Sequence, residues 1–268
     1  MIGAIIGDIA GSRFEFNNTN DYNFELFTDE CSFTDDTICT VAIGYALVNS
    51  NEMDYKDSLR SWGGLYPNPM GAYGGSFGAW LRSDNPQPYN SFGNGSAMRV
   101  SPIAWWFDTL DEVLHHAELS ALPTHNHLEG IKGAKSVAHA IFVLRTRNRE
   151  KDDWKSILRN VANQYYPSFE KQKFVRGRFD ETCMGTVPLA FQLVLKSTSF
   201  EDAIRKAISF GGDSDTLGAI VGSIAEAIWE IPLVITNTAI CFLPAIIESN
   251  VADFYKHLCE KRMNYDKE

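Results

Sequence analysis

The chain has 268 residues, of which 44% are hydrophobic and 22% are charged, the balance of an ordinary globular protein. Its formal net charge of −10 argues against nucleic acid and against an anionic membrane as partners. The five cysteines are odd in number and form no CxxC pair, so buried, reduced thiols are expected rather than a disulfide framework or a zinc ribbon. The N-terminus lacks a basic leader, and we expect a cytoplasmic protein with one domain spanning residues 1–268.

The first predicted element is a helix over residues 2–12. Its glycines, Gly3, Gly7 and Gly11, recur four apart and therefore lie on one helical stripe, where a second helix can approach closely. A strand followed by a glycine turn is the alternative. Asp8 lies among apolar residues in this segment, and a buried, hydrogen-bonded structural role is expected for it.

Most of the remaining chain shows apolar residues at helical spacing. Predicted helices cover residues 36–48, 54–62, 111–121, 128–147, 152–164, 184–196, 201–209, 215–229, 239–248 and 251–263. Residues 63–98 are rich in glycine, proline and asparagine, which predicts a long loop layer broken by a short helix near 76–82.

No segment shows the alternation of a strand, so the predicted fold is all-α: a compact, single-domain, orthogonal bundle of ten or more helices. In the predicted helix 215–229, Gly218 and Gly222 mark a second close crossing. The longest apolar stretch, from Leu217 to Ile235, contains charged residues and a proline, so a membrane span is not expected.

Two aspartate-rich clusters, far apart in the sequence, each begin a predicted apolar helix. One is the FTDDT of residues 33–37 and the other is the GGDSDT of residues 211–216. An aspartate at a helix start is usually an N-cap, but each cluster has more carboxylates than one cap needs. Crowded carboxylates repel each other unless a cation is present, and hard oxygen ligands suit Mg²⁺, Mn²⁺ or Ca²⁺. If the clusters meet, they form a di-metal site.

A glycine-rich segment, Ser91–Ser96, has the small residues of a phosphate-binding loop. Its members Gly93, Asn94 and Gly95 are candidate contacts to a diphosphate. Phe92, and Tyr73 on another glycine-rich loop, are candidates to stack on a base, with core anchoring as the alternative. Glu15, taken alone, is expected to be a surface glutamate.

Taken together, these segments resemble the ADP-ribosylglycohydrolase family along almost the whole chain. The matching segments are GDIAGSRFE at 7–15, FTDDT at 33–37, GNGSAMR at 93–99, THNHLEG at 124–130 and GGDSDTLGAI at 211–220. The resemblance implies an all-α fold with two Mg²⁺ (or Mn²⁺) ions.

Residue roles follow from the resemblance position by position. It implies metal ligands at Thr34, Asp35, Asp36, Asp213, Asp215 and Thr216. It implies diphosphate and adenine contacts from Ser91, Phe92, Gly93 and Asn94, and a distal-ribose contact from His125. Some members carry an acid before a Tyr-Gly turn, but residues 68–74 here contain none. The catalytic base is therefore assigned to Glu15, with Asp36 as the alternative.

The implied activity is metal-dependent hydrolysis of the glycosidic bond at C1″ of ADP-ribosyl groups, with release of ADP-ribose. The expected partner is an ADP-ribosylated protein or a small-molecule ADP-ribose conjugate, and a monomer is favoured. The alternatives are a relative that binds ADP-ribose without turnover, a hydrolase of another ADP-ribose or nucleoside conjugate, and a prenyl-diphosphate enzyme. The last is disfavoured because Ile38, Cys39 and Thr40 occupy the turn where its motif needs a further acid.

Overall fold

The structure is a computed structural model that describes residues 1–51 and 54–265. These residues form fourteen α-helices and two short 3₁₀ helices, so the all-α prediction is confirmed. Within the described part of the chain, β pairing is limited to two isolated bridges, Thr34 with Met70 and Gly93 with Thr182.

The helices follow one another through the whole described sequence. They are α1 (Ile2–Gly11), α2 (Asp35–Val48), α3 (Tyr55–Leu65), α4 (Gly75–Arg82), α5 (Gly95–Met98), α6 (Ser101–Trp106), α7 (Leu110–Ala121), α8 (Leu128–Thr146), α9 (Trp154–Tyr165), α10 (Cys183–Leu195), α11 (Phe200–Phe210), α12 (Ser214–Glu226), α13 (Leu233–Ile240) and α14 (Ala245–Tyr265). The predicted helices from α1 to α4 and from α7 to α12 are confirmed with boundaries shifted by a few residues.

Residues 251–263 are helical as predicted, but the predicted break at residues 249–250 was wrong, and the predicted helix 239–248 is interrupted at residues 241–244. One helix, α14, runs through the predicted break, because the Asn250 side chain donates to the carbonyl of Ile246 2.7 Å away and stays within the helix. The preceding helix α13 starts earlier than predicted, directly after Pro232 at its N-cap, where a missing N–H costs nothing. The short helices α5 and α6 were also missed inside and beside the predicted loop layer.

Helix α1 forms the centre of the fold, and nine of its ten residues are buried. Its glycine stripe packs directly on α12. A Cβ built on Gly7 would collide with the carbonyl of Gly218, and one built on Gly3 would collide with the carbonyl of Gly222. Both predicted glycine stripes are therefore confirmed, and they face each other. Because the backbones of the two helices are in contact, the acidic N-terminal end of α12 lies beside α1.

We expect Gly7→Ala to destabilise the protein by at least about 2 kcal/mol, because the methyl group meets backbone rather than a movable side chain. Urea-induced unfolding followed by circular dichroism measures this change. Gly64→Ala is the matched control, since a Cβ at this position in α3 meets nothing within 4 Å. It should leave stability unchanged or raise it by about 0.5–1 kcal/mol. Equal effects of the two substitutions would contradict the close crossing.

The cysteines only partly follow the expectation of buried thiols. All five are free: Cys31, Cys39 and Cys183 are buried, whereas Cys241 and Cys259 are exposed. The last two lie near the ends of α13 and α14, on the outer surface of the bundle. In the described ranges, no helix combines the length with the apolar content that crossing a bilayer requires.

Candidate active site

The N-terminus of α2 carries the first acidic cluster. Thr34 is the N-cap, and its hydroxyl accepts from the N–H of Asp36 at 3.2 Å. The same hydroxyl donates to the Asp8 carboxylate at 2.7 Å. Asp35 and Asp36 follow in the first turn, where the free N–H groups of the helix favour negative charge. Thr34, rather than Asp35, is therefore the N-cap residue of α2.

Asp8 ties α1 to the start of α2. Its carboxylate accepts from the N–H and the hydroxyl of Thr34 and from the N–H and the hydroxyl of Thr37. Burial raises the pKa of Asp8 to about 6, although these hydrogen bonds favour the charged form. The expected structural role of Asp8 is confirmed, and four donors leave this carboxylate little capacity for a further ligand.

The second cluster begins α12. Gly211 and Gly212 have φ angles of 78° and 91°, in the left-handed region where glycine is favoured. A Cβ on Gly212 would also lie 2.5 Å from the carbonyl of Arg178. This turn lets Asp213 serve as the N-cap residue while Asp215 falls in the first helical turn, with both side chains directed to the same place.

The two clusters meet. The hydroxyl of Thr216 on α12 donates to the Asp36 carboxylate on α2 at 3.1 Å, across 180 residues of sequence. Oxygen atoms of Asp8, Asp36 and Asp215 lie within 4.8 Å of one another. A second group of acids, which shares Asp215, adds Glu15 and Asp213 at the same spacing. The convergence predicted from the sequence is therefore present.

The crowded acids strongly disfavour one another's charge. Burial raises the pKa of Asp35, Asp36 and Asp215 well above the usual range, and the neighbouring carboxylates raise it further. Burial followed by the charge of Asp213 raises the pKa of Glu15 to about 7. The site therefore contains more negative charge than its own side chains can neutralise.

The donor set fits a divalent cation. Asp36 Oδ1 and Asp215 Oδ1 are buried and have no hydrogen-bond partner among the described residues. Unpaired buried oxygens are costly unless a cation or water satisfies them. The donors are carboxylate and hydroxyl oxygens, which suit Mg²⁺ or Mn²⁺ rather than a soft metal.

These acids line a cavity of about 310 Å³. Most of the predicted site residues line it: Glu15, Asp35, Asp36, Tyr73, Ser91, Gly93, Asn94, Gly95, His125, Asp213, Asp215 and Thr216. Two predicted members do not. Thr34 is fully buried, and its hydroxyl donates to the Asp8 carboxylate. Phe92 is 44% exposed, and its ring packs on His127 with 5.4 Å between ring centroids.

The segment 91–95 differs from the predicted phosphate-binding loop. The N–H of Ser91 donates to the carbonyl of Thr124 and that of Asn94 to the carbonyl of Glu181. The N–H of Gly93 donates to the hydroxyl of Ser91 at 3.1 Å. These three groups are used within the protein, so the prediction that they point at an anion was wrong for them. The segment is held against its neighbours before any ligand binds.

Asn94 and Tyr73 both have structural contacts besides lining the cavity. The Asn94 amide donates to the Asp213 carboxylate at 2.6 Å and to the Thr186 hydroxyl at 3.2 Å. Asn94 therefore orients an acidic residue of the site. The Tyr73 hydroxyl donates to the carbonyl of Tyr66 at 2.8 Å, which fixes the ring at the cavity wall.

Glu15 is covered by the loop of residues 68–74, which contains no acidic residue. Gly71 has a φ of 78°, and a Cβ there would collide with the Glu15 carboxylate. Only glycine therefore lets this loop cover Glu15 so closely. The side chain is half-buried within the cavity wall, so the expectation of a surface glutamate, made for Glu15 alone, was wrong.

The other residues that line the cavity include Tyr89, Arg99 and Glu181. Arg99 belongs to the GNGSAMR segment, but a buried arginine cannot be distinguished from a surface one by that pattern. Tyr89 and Glu181 lie on loops whose sequences carry no signal for the site. Their position depends on the folding of the loops around α5 and α10.

We expect Asp8→Asn to lower stability by about 1–3 kcal/mol in EDTA, because an amide nitrogen would face the buried donors of Thr34 and Thr37. Thermal and urea unfolding of both proteins measure the difference. Asp36→Asn is the matched control: it removes a charge from the same place, but Asp36 Oδ1 has no donor to lose. The interpretation fails if Asp36→Asn is as destabilising as Asp8→Asn.

The fold and the site together define a class of protein. Residues 1–233 match the ADP-ribosylglycohydrolase family, and the chain belongs to this family. A solved structure of an ADP-ribosylglycohydrolase-related protein complex has the same fold, with a TM-score of 0.70 over 95% of this chain and 96% of that chain at 20% identity.

Three relatives are similar in sequence. A protein of Archaeoglobus fulgidus is 31% identical over 147 residues, which is 50% of this chain and only about half, 48%, of that relative. The ADP-ribosylarginine hydrolase Tri1 of Pseudomonas putida is 24% identical over 86% of this chain and 70% of its own length. Human ADP-ribosylhydrolase ARH3 is 24% identical over 85% of this chain and 83% of its own length.

Proposed function

We propose that this protein is a metal-dependent hydrolase that cleaves the glycosidic bond at C1″ of ADP-ribosyl groups and releases ADP-ribose. The observation that carries the proposal is the hydrogen bond of 3.1 Å between Thr216 and Asp36, because it joins the two acidic clusters into one site. Family membership and the names of the relatives support the reaction class. The proposed substrate is an ADP-ribosylated protein or a small ADP-ribose conjugate.

Two Mg²⁺ (or Mn²⁺) ions are proposed as cofactors. Asp35 and Asp36 of α2 and Asp213, Asp215 and Thr216 of α12 would hold them, and Asp215 belongs to both groups of acids. When bound, the ions would supply Lewis-acid activation of water and of ribose hydroxyls. Thr34, the remaining predicted ligand, has its hydroxyl between Asp8 and the N–H of Asp36, which leaves it one lone pair.

Glu15 is the proposed general base. Its carboxylate lies within 4.8 Å of Asp213 and Asp215, and it is less buried than these two aspartates. It can therefore take a proton from an attacking water and release it to solvent. Asp36 is the weaker candidate, since one of its oxygens accepts from Thr216 and the other is buried without a donor, as a ligand would be.

The remaining cavity wall would orient the rest of the substrate. His125, Ser91 and Gly95 lie along the wall that the glycine-rich segment forms, and Tyr73 lies on the loop over Glu15. We propose that the distal ribose binds beside the acids and that the diphosphate and adenine extend along His125 and the glycine-rich segment. A monomeric protein in the cytoplasm remains our expectation from the sequence.

The test is a panel of defined substrates, with ADP-ribose linked to arginine, to serine, to acetate as an ester, and to a nucleic-acid end. Each is assayed with Mg²⁺, with Mn²⁺ and with EDTA, and free ADP-ribose is measured by chromatography. Release from at least one substrate, lost with EDTA and restored by metal, is expected. If calorimetry shows ADP-ribose binding while every substrate stays intact, the protein is a binding relative and the proposal is wrong.

A further inference from the structure

Arg99 is the largest fully buried side chain of the described residues, and its hydrogen bonds go to neutral groups. One nitrogen, Nη2, donates to the carbonyl of Ser120 at 3.0 Å and to the hydroxyl of Thr124 at 2.8 Å. Burying a guanidinium is costly, so its hydrogen bonds define how the surrounding groups must be oriented. A guanidinium only donates, so Thr124 Oγ1 must be the acceptor in this contact.

The Thr124 hydroxyl also contacts His125. Thr124 Oγ1 lies 2.7 Å from His125 Nδ1, within a fully buried environment. Burial raises the pKa of Tyr89, which also lines the cavity, to about 12, so this phenol keeps its proton. Because the hydroxyl already accepts from Arg99, its single proton is available for the Nδ1 atom of the ring.

His125 is 5% exposed, and burial followed by the charge of Arg99 lowers its pKa well below the usual range. The ring is therefore neutral at physiological pH and has one N–H. Its other nitrogen, Nε2, is directed toward the glycine-rich segment that lines the cavity: a Cβ built on Gly95 would lie 3.2 Å from it. The tautomer thus decides whether the ring offers the ligand a donor or an acceptor.

We propose that Arg99 and Thr124 are positioning residues that hold His125 as the neutral Nε2–H tautomer, so that its ring offers a hydrogen-bond donor to an oxygen of the ligand in the cavity. The identity of that ligand rests on the proposed function, whereas the tautomer does not. ADP-ribose is rich in acceptor oxygens, and the wrong tautomer would present a lone pair to them.

The tautomer is measured directly by ¹⁵N NMR of the full-length protein labelled at histidine, without ligand. His125→Gln identifies the His125 signals. We expect a proton on Nε2 and an acceptor-type Nδ1 in the wild-type protein. In Thr124→Val the Nδ1 signal should move away from its hydrogen-bonded position and the ring should populate both tautomers, whereas Thr124→Ser should restore the wild-type spectrum.

Affinity for free ADP-ribose, measured by calorimetry, is the second readout. Thr124→Val should weaken binding by about 5- to 10-fold, the effect of one hydrogen bond, and Thr124→Ser should not. Thr40→Val is the matched control, because Thr40 is fully buried and its hydroxyl has no partner among the described residues. It should change neither the His125 signals nor the affinity.

Two spectral results would overturn the proposal that Arg99 and Thr124 set the tautomer of His125. One is a proton on Nδ1 in the wild-type protein, and the other is a His125 spectrum that Thr124→Val leaves unchanged. Failure of the proposed function is a separate outcome. In this outcome, no ADP-ribosyl substrate is cleaved while the wild-type protein still shows the Nε2–H tautomer and Thr124→Val loses it. In that case the positioning of His125 by Arg99 and Thr124 is supported, and only the ligand assignment is withdrawn.

Discussion

Asp215→Asn is expected to abolish stable cation binding and to reduce hydrolysis of the best substrate by at least about 10²-fold. Asp215 is the one acid that belongs to both groups of converging carboxylates, so its loss removes a donor from each. The electrostatic stabilisation that a metal ion provides in catalysis is worth several kcal/mol, and each 1.4 kcal/mol corresponds to about a tenfold change in rate.

The same substitution should affect stability in opposite directions with and without metal. In EDTA the variant should be at least as stable as the wild type, because a buried carboxylate surrounded by Asp213 and Asp36 has been neutralised. With saturating Mg²⁺ or Mn²⁺ the wild type should gain about 3 kcal/mol at a hundredfold excess of cation over its Kd, and the variant should gain nothing.

Thermal unfolding with and without EDTA, together with calorimetric titration of Mn²⁺, measures both effects. Asp111→Asn is the control, since Asp111 also lies in the first turn of a helix, α7, but is exposed on the surface. It should alter neither cation binding nor activity. A wild-type protein whose melting temperature is indifferent to metal would remove the basis for the ligand assignment.

Glu15→Gln is expected to slow turnover by about 10²–10⁴-fold, the usual contribution of a general base. The amide cannot accept the proton of an attacking water, although it keeps the size of the side chain beneath Gly71. Cation affinity and ADP-ribose affinity should stay close to those of the wild type, because the aspartates remain. The loss should therefore appear in kcat rather than in KM.

Asp36→Asn provides the comparison that separates base from ligand. Asp36 has a buried oxygen without a donor, so this variant should lose cation affinity together with activity. Glu248→Gln, an exposed glutamate in the first turn of α14, is the matched control and should behave as the wild type. Turnover by Glu15→Gln at close to the wild-type rate would show that the base lies elsewhere.

Much of the candidate site could be predicted because the signals are local. Gly3, Gly7 and Gly11 indicate a helix that another backbone must contact, and α12 does so. Excess carboxylates at two helix starts are unstable without a cation, whichever fold brings them together.

Other features depend on residues distant in sequence, and no local pattern predicts them. The N–H groups of Ser91 and Asn94 donate to the carbonyls of Thr124 and Glu181, which are distant in the sequence. Likewise, the continuation of α14 through Asn250 depends on helix packing and on one side-chain bond rather than on helix propensity.

The sequence by itself determined the helical class, the close glycine crossing and the acidic character of the site, since each follows from the spacing and chemistry of neighbouring residues. Only the tertiary structure decided which carboxylates lack a donor, how closely Gly71 covers Glu15, and how Arg99 and Thr124 orient His125. These features depend on distances between segments that are far apart in the sequence. Burial makes the distances energetically important, because water cannot stabilise a buried charge or replace a buried hydrogen bond.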